Sequence, residues 1–212
     1  TDPGAFSTDL VTFNRKIGPF REYTTFTDAE NAGVAISTDG NLAQRNEAIV
    51  FEADAGTYAE NVTFQSPLNS DATRNVTYKA GAGSEHGGDF DSGVRMSTQN
   101  GIPAAVYDDL LNFENIVFTS TGYPLQITIS NGGSFKSCIS KSSGTSAPWF
   151  IRGGSELYPI ILENCVAGPT GIGWAFYVAT SVALGNTHVK LSNCTSIVTS
   201  TGKCFQLLAA ID

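Results

Sequence analysis

The stretch "SEHGGDFD", from Ser84 to Asp91, gathers Glu85, His86, Asp89 and Asp91 within eight residues. A Gly-Gly pair between polar side chains can fold around a cation or set an acid beside a base. The same residues also suit a solvated turn between strands, because Gly, Asp and Ser fill turns for conformational reasons alone. A second acidic stretch, "YDDLLNFE", supplies Asp108, Asp109 and Glu114, and a surface loop is its plainer meaning. Glycan cleavage needs two carboxyl groups roughly 5–10 Å apart across a groove. On that requirement Asp89, Asp91, Asp108 and Asp109 are the candidate catalytic acids. Glu85, His86, Asp89 and Asp91 are the candidate cation ligands, and no cofactor is implied.

A different chemistry is open to Tyr123, Trp149, Tyr158, Trp174 and Tyr177, which lie in the part of the chain dense in Ser, Thr and Asn. Flat rings stack on pyranose faces, and neighbouring amides and hydroxyls direct the sugar, with no charge required. Burial in a core or in a subunit interface is the competing use of the same rings. No Gly-x-Ser-x-Gly elbow, P-loop or dinucleotide fingerprint occurs, so the sequence offers no support for serine-hydrolase, nucleotide or redox-cofactor chemistry.

The elements that must position these residues are announced by a repeat. Leu162–Cys165 and Leu191–Cys194 share the pattern Leu-x-Asn-Cys. Aligned with "NFENIVFTS" and "SFKSCISKS", they put Phe113, Phe135, Leu162 and Leu191 in one column. Asn115, Ser137, Asn164 and Asn193 form the next but one, followed by Ile116, Cys138, Cys165 and Cys194. A second strand-like piece follows each block and aligns Leu125, Phe150, Phe176 and Phe205, at separations of 25, 26 and 29 residues. Short β-branched and aromatic runs at a period in the twenties match one rung of a parallel β-helix.

In such a solenoid like side chains stack along the axis. The Phe/Leu and Ile/Cys columns are expected to point inward, with Cys serving as a small buried hydrophobe. Asn at the bend is expected to bond the backbone locally and to stack amide on amide. Four cysteines could form two disulfides, but in-register neighbours on parallel strands rarely meet the geometry, so reduced thiols are expected. The absence of a Cys-x-x-Cys pair argues against a zinc site.

Towards the N-terminus, Thr25 and Thr27 precede "DAENA", a candidate N-cap and short helix suited to covering a solenoid end. One domain is expected: an extension over residues 1–16, a cap and first rungs over 17–112, and regular rungs over 113–212. The last rung, in "CFQLLAAID", would expose Phe205, Leu207 and Leu208 unless something covers it.

The chain carries a net charge of −8 over 212 residues. With no cluster of Lys and Arg, a nucleic-acid backbone or an anionic membrane surface is a poor partner, and no apolar run reaches the roughly 18 residues of a membrane span. The charge is uneven: residues 1–114 hold 17 acidic and 7 basic side chains, residues 115–212 hold 3 and 5.

Together, "REYTTFTDAENA", "IVFEADAGTYAENVTF", "DATRNVTYKAGAGSEHGGDFDSGVRM" and the Asn-Cys rungs resemble right-handed parallel β-helix proteins of the pectate-lyase-like superfamily. Within it the chain is most similar to β-helical proteins of tailed bacteriophages. The resemblance implies an all-β, right-handed, single-stranded parallel β-helix with a short N-terminal capping helix. It further implies a non-enzymatic protein at the virion surface: a tail fibre, spike or capsid decoration. Its partners would be copies of itself, as a trimer, other virion proteins, and host surface polysaccharide. Two alternatives share the fold: a polysaccharide lyase or glycoside hydrolase, and a secreted bacterial adhesin or cell-surface filament protein.

Overall fold

The computed structural model describes residues 9–36, 41–65, 69–99, 101–170, 174–179, 187–198 and 203–207. After β1 (Val11–Ile17) come helices α1 (Phe26–Ile36) and α2 (Leu42–Arg45), and then a three-strand turn repeats. The turns are β2–β3–β4 (Glu47–Ala53, Gly56–Tyr58, Val62–Phe64), β5–β6–β7 (Val76–Ala80, Val94–Thr98, Ala104–Val106) and β8–β9–β10 (Asn112–Glu114, Ile116–Ser120, Leu125–Ile129). They continue as β11–β12–β13 (Gly133–Lys136, Ile139–Ser142, Trp149–Gly153), β14–β15–β16 (Ile160–Glu163, Val166–Thr170, Trp174–Val178) and β17–β18–β19 (Val189–Ser192, Thr195–Val198, Lys203–Leu207).

The first strands of the turns, with β1, form sheet A; the second strands form sheet B and the third sheet C. Strands within each sheet pair in parallel with their counterparts one turn away. The molecule is therefore a right-handed parallel β-helix. The sequence places residues 1–16 in an extension, but Val11–Ile17 pairs in register with Glu47–Ala53 and belongs to sheet A; residues 1–8 lie outside those described.

Alternation of side chains sends one column from each sheet inward. Phe51, Tyr78, Phe113 and Phe135 stack in succession at 5.0, 5.5 and 5.2 Å between ring centres, and Leu162 and Leu191 extend the column. From sheet C, Trp149, Phe176 and Phe205 stack at 5.9 and 5.0 Å. The alignment puts Phe150 in this inward column, but the pairing is Leu125 to Trp149 to Phe176, with Phe150 beside Tyr177. A slip of one residue reverses the face in a strand, so Trp149 is fully buried and Phe150 faces outward.

The Asn column sits at the A-to-B bend. Asn115, Ser137, Asn164 and Asn193 have φ of 56°, 50°, 54° and 52°, the left-handed region in which Asn is tolerated better than most residues. The backbone N–H groups of Asn115, Ser137 and Asn164 reach the next turn, as in Ser137 N to Glu163 O at 2.8 Å. The expected amide ladder is absent here: among the described residues these side chains do not bond one another, and Ser137 stands between Asn115 and Asn164. Backbone conformation alone accounts for the Asn. Beyond each bend the cysteines point inward as free thiols. Cys138, Cys165 and Cys194 donate through Sγ to Phe113 O, Phe135 O and Leu162 O at 3.4, 3.2 and 3.4 Å. A small apolar side chain with one weak donor meets both needs of that position.

At the N-terminal end, α1 occupies the level at which β1's turn would contribute strands to sheets B and C. Thr25 Oγ1 accepts from Asp28 N at 3.0 Å, the N-cap bond. Glu60 accepts from Phe26 N, Thr27 N and Thr27 Oγ1 at 2.8, 3.0 and 2.6 Å, placing a carboxylate at the positive end of the helix. The buried Phe26 ring packs edge-on to Tyr58, 5.0 Å away. The far end differs: Leu191, Ile197 and Phe205 are 38%, 43% and 44% exposed. Leu208 lies outside the described residues.

Candidate functional site

The acidic candidates are held at separate corners of the solenoid. Glu85, His86, Asp89 and Asp91 lie between β5 and β6, at the A-to-B corner, whereas Asp108 and Asp109 lie between β7 and β8, at the C-to-A corner. His86 is buried and engaged at both nitrogens: Gly88 N donates to Nδ1 at 2.9 Å, which leaves Nε2–H to donate to Ser137 O at 2.6 Å. Glu85, Asp89 and Asp91 are exposed. Asp89 Oδ1 accepts from Asp91 N at 3.0 Å, and Asp91 faces Arg95 at 3.6 Å. No trio of His, Cys, Asp and Glu converges on a metal position among the described residues. The stretch is a strap. Its Phe90 lies so close over Gly168 that a Cβ there would stand 2.0 Å from the ring.

Asp109 braces a turn, accepting from Ser130 N, Asn131 N and Asn131 Nδ2 at 2.8, 2.7 and 3.0 Å. Asp108 is half-buried, and its carboxyl is pushed up to about 7. Burial is the main cause, the charges of Glu30 and Asp109 add to it, and the bond from Asp109 N opposes it. Glu30, on α1, accepts from Gln65 N and from the buried Tyr78 hydroxyl at 2.8 and 2.6 Å.

The aromatic candidates divide. Trp149 is fully buried, its indole N–H donating to Val166 O at 3.2 Å, so it packs the core and is unavailable to a sugar. Tyr158 stands apart, in the loop that leads into β14, and lines a groove of about 300 Å³ with Asn75, Asn112, Ser134, Leu157 and Ile161. An amide ladder does occur there, Asn112 Nδ2 donating to Asn75 Oδ1 at 2.8 Å.

On the outer face of sheet C, Tyr123, Phe150 and Tyr177 make a continuous run. Tyr123 packs edge-on to Phe150 at 5.2 Å, and Phe150 stacks on Tyr177 at 5.3 Å with the planes 12° apart. Parallel in-register pairing produces this stack, since Gln126, Phe150, Tyr177 and Gln206 occupy one outward column. Tyr107, 44% exposed, accepts a hydrogen bond from Gln126 Nε2 at 3.2 Å. Arg152 stands over the Phe150 ring at 4.7 Å, while Lys203 stands over Trp174 at 4.6 Å as a pair that alternation sets on the Phe176 and Phe205 side of its strands. Arg152 Nε and its in-register neighbour Thr128 Oγ1 have no hydrogen-bond partner among the described residues.

This face offers ring surface, amide and hydroxyl donors and one cation, Arg152. Such a set suits a sugar chain lying along the solenoid axis. Tyr123 and Tyr177 stand here as the sequence expects, Trp174 shares the side of Phe176, and Phe150, Tyr107, Gln126 and Arg152 are not among the sequence's candidates. The alternation of "WFIRG" is the signal that could have found Phe150 and Arg152, once Trp149 is set inward.

No family model matches the sequence, and no curated protein matches it.

Proposed function

We propose that the chain is a non-enzymatic structural β-helix that contacts a polysaccharide through the outer face of sheet C. Its setting would be the virion surface of a tailed bacteriophage, as a tail fibre, spike or capsid decoration, in a trimer with other virion proteins. The Tyr123–Phe150–Tyr177 run carries the glycan reading: three rings share one outward face, with Arg152 over the Phe150 ring and Gln126 next to Phe150 in the same column. Soluble proteins bury such rings unless a partner uses them, and a repeating sugar chain fits a repeating rung. The virion setting rests on the resemblance of the cap, the strap and the Asn-Cys rungs to phage β-helices.

An array of bacterial surface polysaccharides, probed with the wild-type protein and with Tyr177→Ser, tests the reading. Binding to at least one glycan that falls about tenfold in the variant is expected, since stacking contacts of this kind contribute on the order of 1–2 kcal/mol. Equal binding by both proteins would count against it. Asp108 favours a second reading, a glycan-cleaving enzyme, because a carboxyl pushed up to about 7 can act as a general acid near neutrality. Release of reducing ends from a bound polysaccharide, abolished in Asp108→Asn, would establish that reading in place of the first.

A further inference from the structure

A polar groove of about 300 Å³ runs along the outer face of sheet B, separate from the aromatic run. Its floor is the in-register outward column Ser97, Thr119 and Lys141. One wall carries Asp91 of the strap, and the other is formed by Gln99, Thr121 and Ser143. Arg95 projects from the same strand as Ser97 and lines the groove.

Several of these groups are unspent. Lys141 stands over the Phe90 ring at 5.5 Å and pairs with no carboxylate among the described residues. The Ser97 and Thr119 hydroxyls bond to no described residue. Arg95 donates through Nη2 to Thr57 Oγ1 and through Nη1 only faces Asp91, at 3.6 Å, where the Asp91 side chain is 76% exposed, so that ion pair is weak and easily displaced. Two cations against one acid leave the groove positive within a chain of net charge −8.

We propose that this groove is a subsite for the carboxylate-bearing unit of an acidic polysaccharide. Lys141 and Arg95 would hold the carboxylate by charge-assisted hydrogen bonds, while Ser97 and Thr119 meet ring hydroxyls. The volume lies at the small end of ligand pockets, enough for a single sugar unit. An excess of one positive charge suits one carboxylate better than a run of phosphates. The Phe90 ring covers one side of the Lys141 ammonium and holds it over the floor. That gives the strap a purpose which its Glu, His and Asp residues do not reveal.

The groove also adjoins the aromatic run. Thr121 lines its wall and Tyr123 opens the run, two residues on, at most about 7 Å along the chain. A glycan crossing the corner between β9 and β10 would place an acidic unit in the groove and its neighbours on the rings. The proposal rests on the glycan reading for the identity of the ligand.

Amide NMR titration of the 15N-labelled protein with D-glucuronate, D-glucose and acetate tests it, alongside a neutral glucan oligosaccharide as a probe of the rings. Glucuronate is expected to shift the amides of Ser97, Thr119 and Lys141, and to bind at least about tenfold more tightly than glucose or acetate. Lys141→Gln should weaken glucuronate about tenfold with an unchanged urea midpoint. About 0.5 M NaCl should weaken it as well, through screening. Equal binding of glucose and glucuronate, or an unaffected Lys141→Gln, would overturn the subsite, and acetate matching glucuronate would reduce it to a plain anion site. If the neutral oligosaccharide shifts Phe150 and Tyr177 while glucuronate leaves the groove unchanged, the subsite falls and the glycan reading stands. The reverse pattern removes the ring reading and leaves the subsite.

Discussion

The charged side chains of the N-terminal end and those farther along sheets B and C are used in opposite ways. Near the cap, carboxylates are committed to structure. Glu60 holds the first turn of α1, Glu30 takes the Tyr78 hydroxyl and Gln65 N, and Asp54 pairs with Arg21 at 2.6 Å. On sheets B and C, Lys141, Arg152 and Lys203 lie over aromatic rings and pair with no carboxylate among the described residues. A group already satisfied by the fold has little to offer a ligand. An unpaired one on an outer face does, so the acid-poor second half is where binding is expected.

Substitutions can break or sharpen this contrast. The largest loss of stability is expected from Phe26→Ala, which empties a fully buried site beneath the cap. About 3–5 kcal/mol should disappear from urea unfolding. Glu60→Gln keeps the shape but removes the charge from three hydrogen bonds at the helix start, and a loss of about 1–3 kcal/mol is expected with glycan binding unchanged.

Asp108 adds a pH signature at the same end. Its folded pKa lies above the ordinary carboxylate value, so the folded state binds the extra proton between roughly pH 4 and 7. Stability should therefore decline as pH rises through that window and level off above it. Glu52 and Asp71 are shifted the other way, Lys16 acting on Glu52 and Arg74 on Asp71, and they cost stability only in more acidic solution. Urea midpoints across pH 4–8 should show the decline in wild type and a flatter profile in Asp108→Asn. The smallest stability effect belongs to Tyr177→Ser, within about 1 kcal/mol because the ring lies on an outer face, although its effect on glycan affinity is the largest of the four. A substantial stability loss there would mean that the outer rings are structural and that the contrast fails.

The solenoid was legible because its determinants are local and recur. A left-handed bend needs Asn or a close substitute, the next position needs something apolar, and both needs return in each of the last four turns. The cap was legible for a similar reason, Thr25 and the acids of α1 forming a short-range helix start. The Phe150 misplacement shows where such legibility ends. In "PWFIRGG" two neighbouring aromatics compete for one inward position, and only pairing with Leu125 and Phe176 decides between them. First-strand status for Val11–Ile17 was hidden likewise, since its partner β2 lies beyond both helices. The sheet B groove had no sequence signature, because Ser97, Thr119 and Lys141 come from three successive turns and meet only by register.

The most direct measurement is a crystal structure of the protein with an oligosaccharide selected on the polysaccharide array. Sugar rings stacked within about 4 Å of Phe150 and Tyr177, running over the corner towards Lys141, are the predicted result. An oligosaccharide seated in the Tyr158 groove of sheet A, or against Asp108 with the outer rings of sheet C bare, would contradict the account.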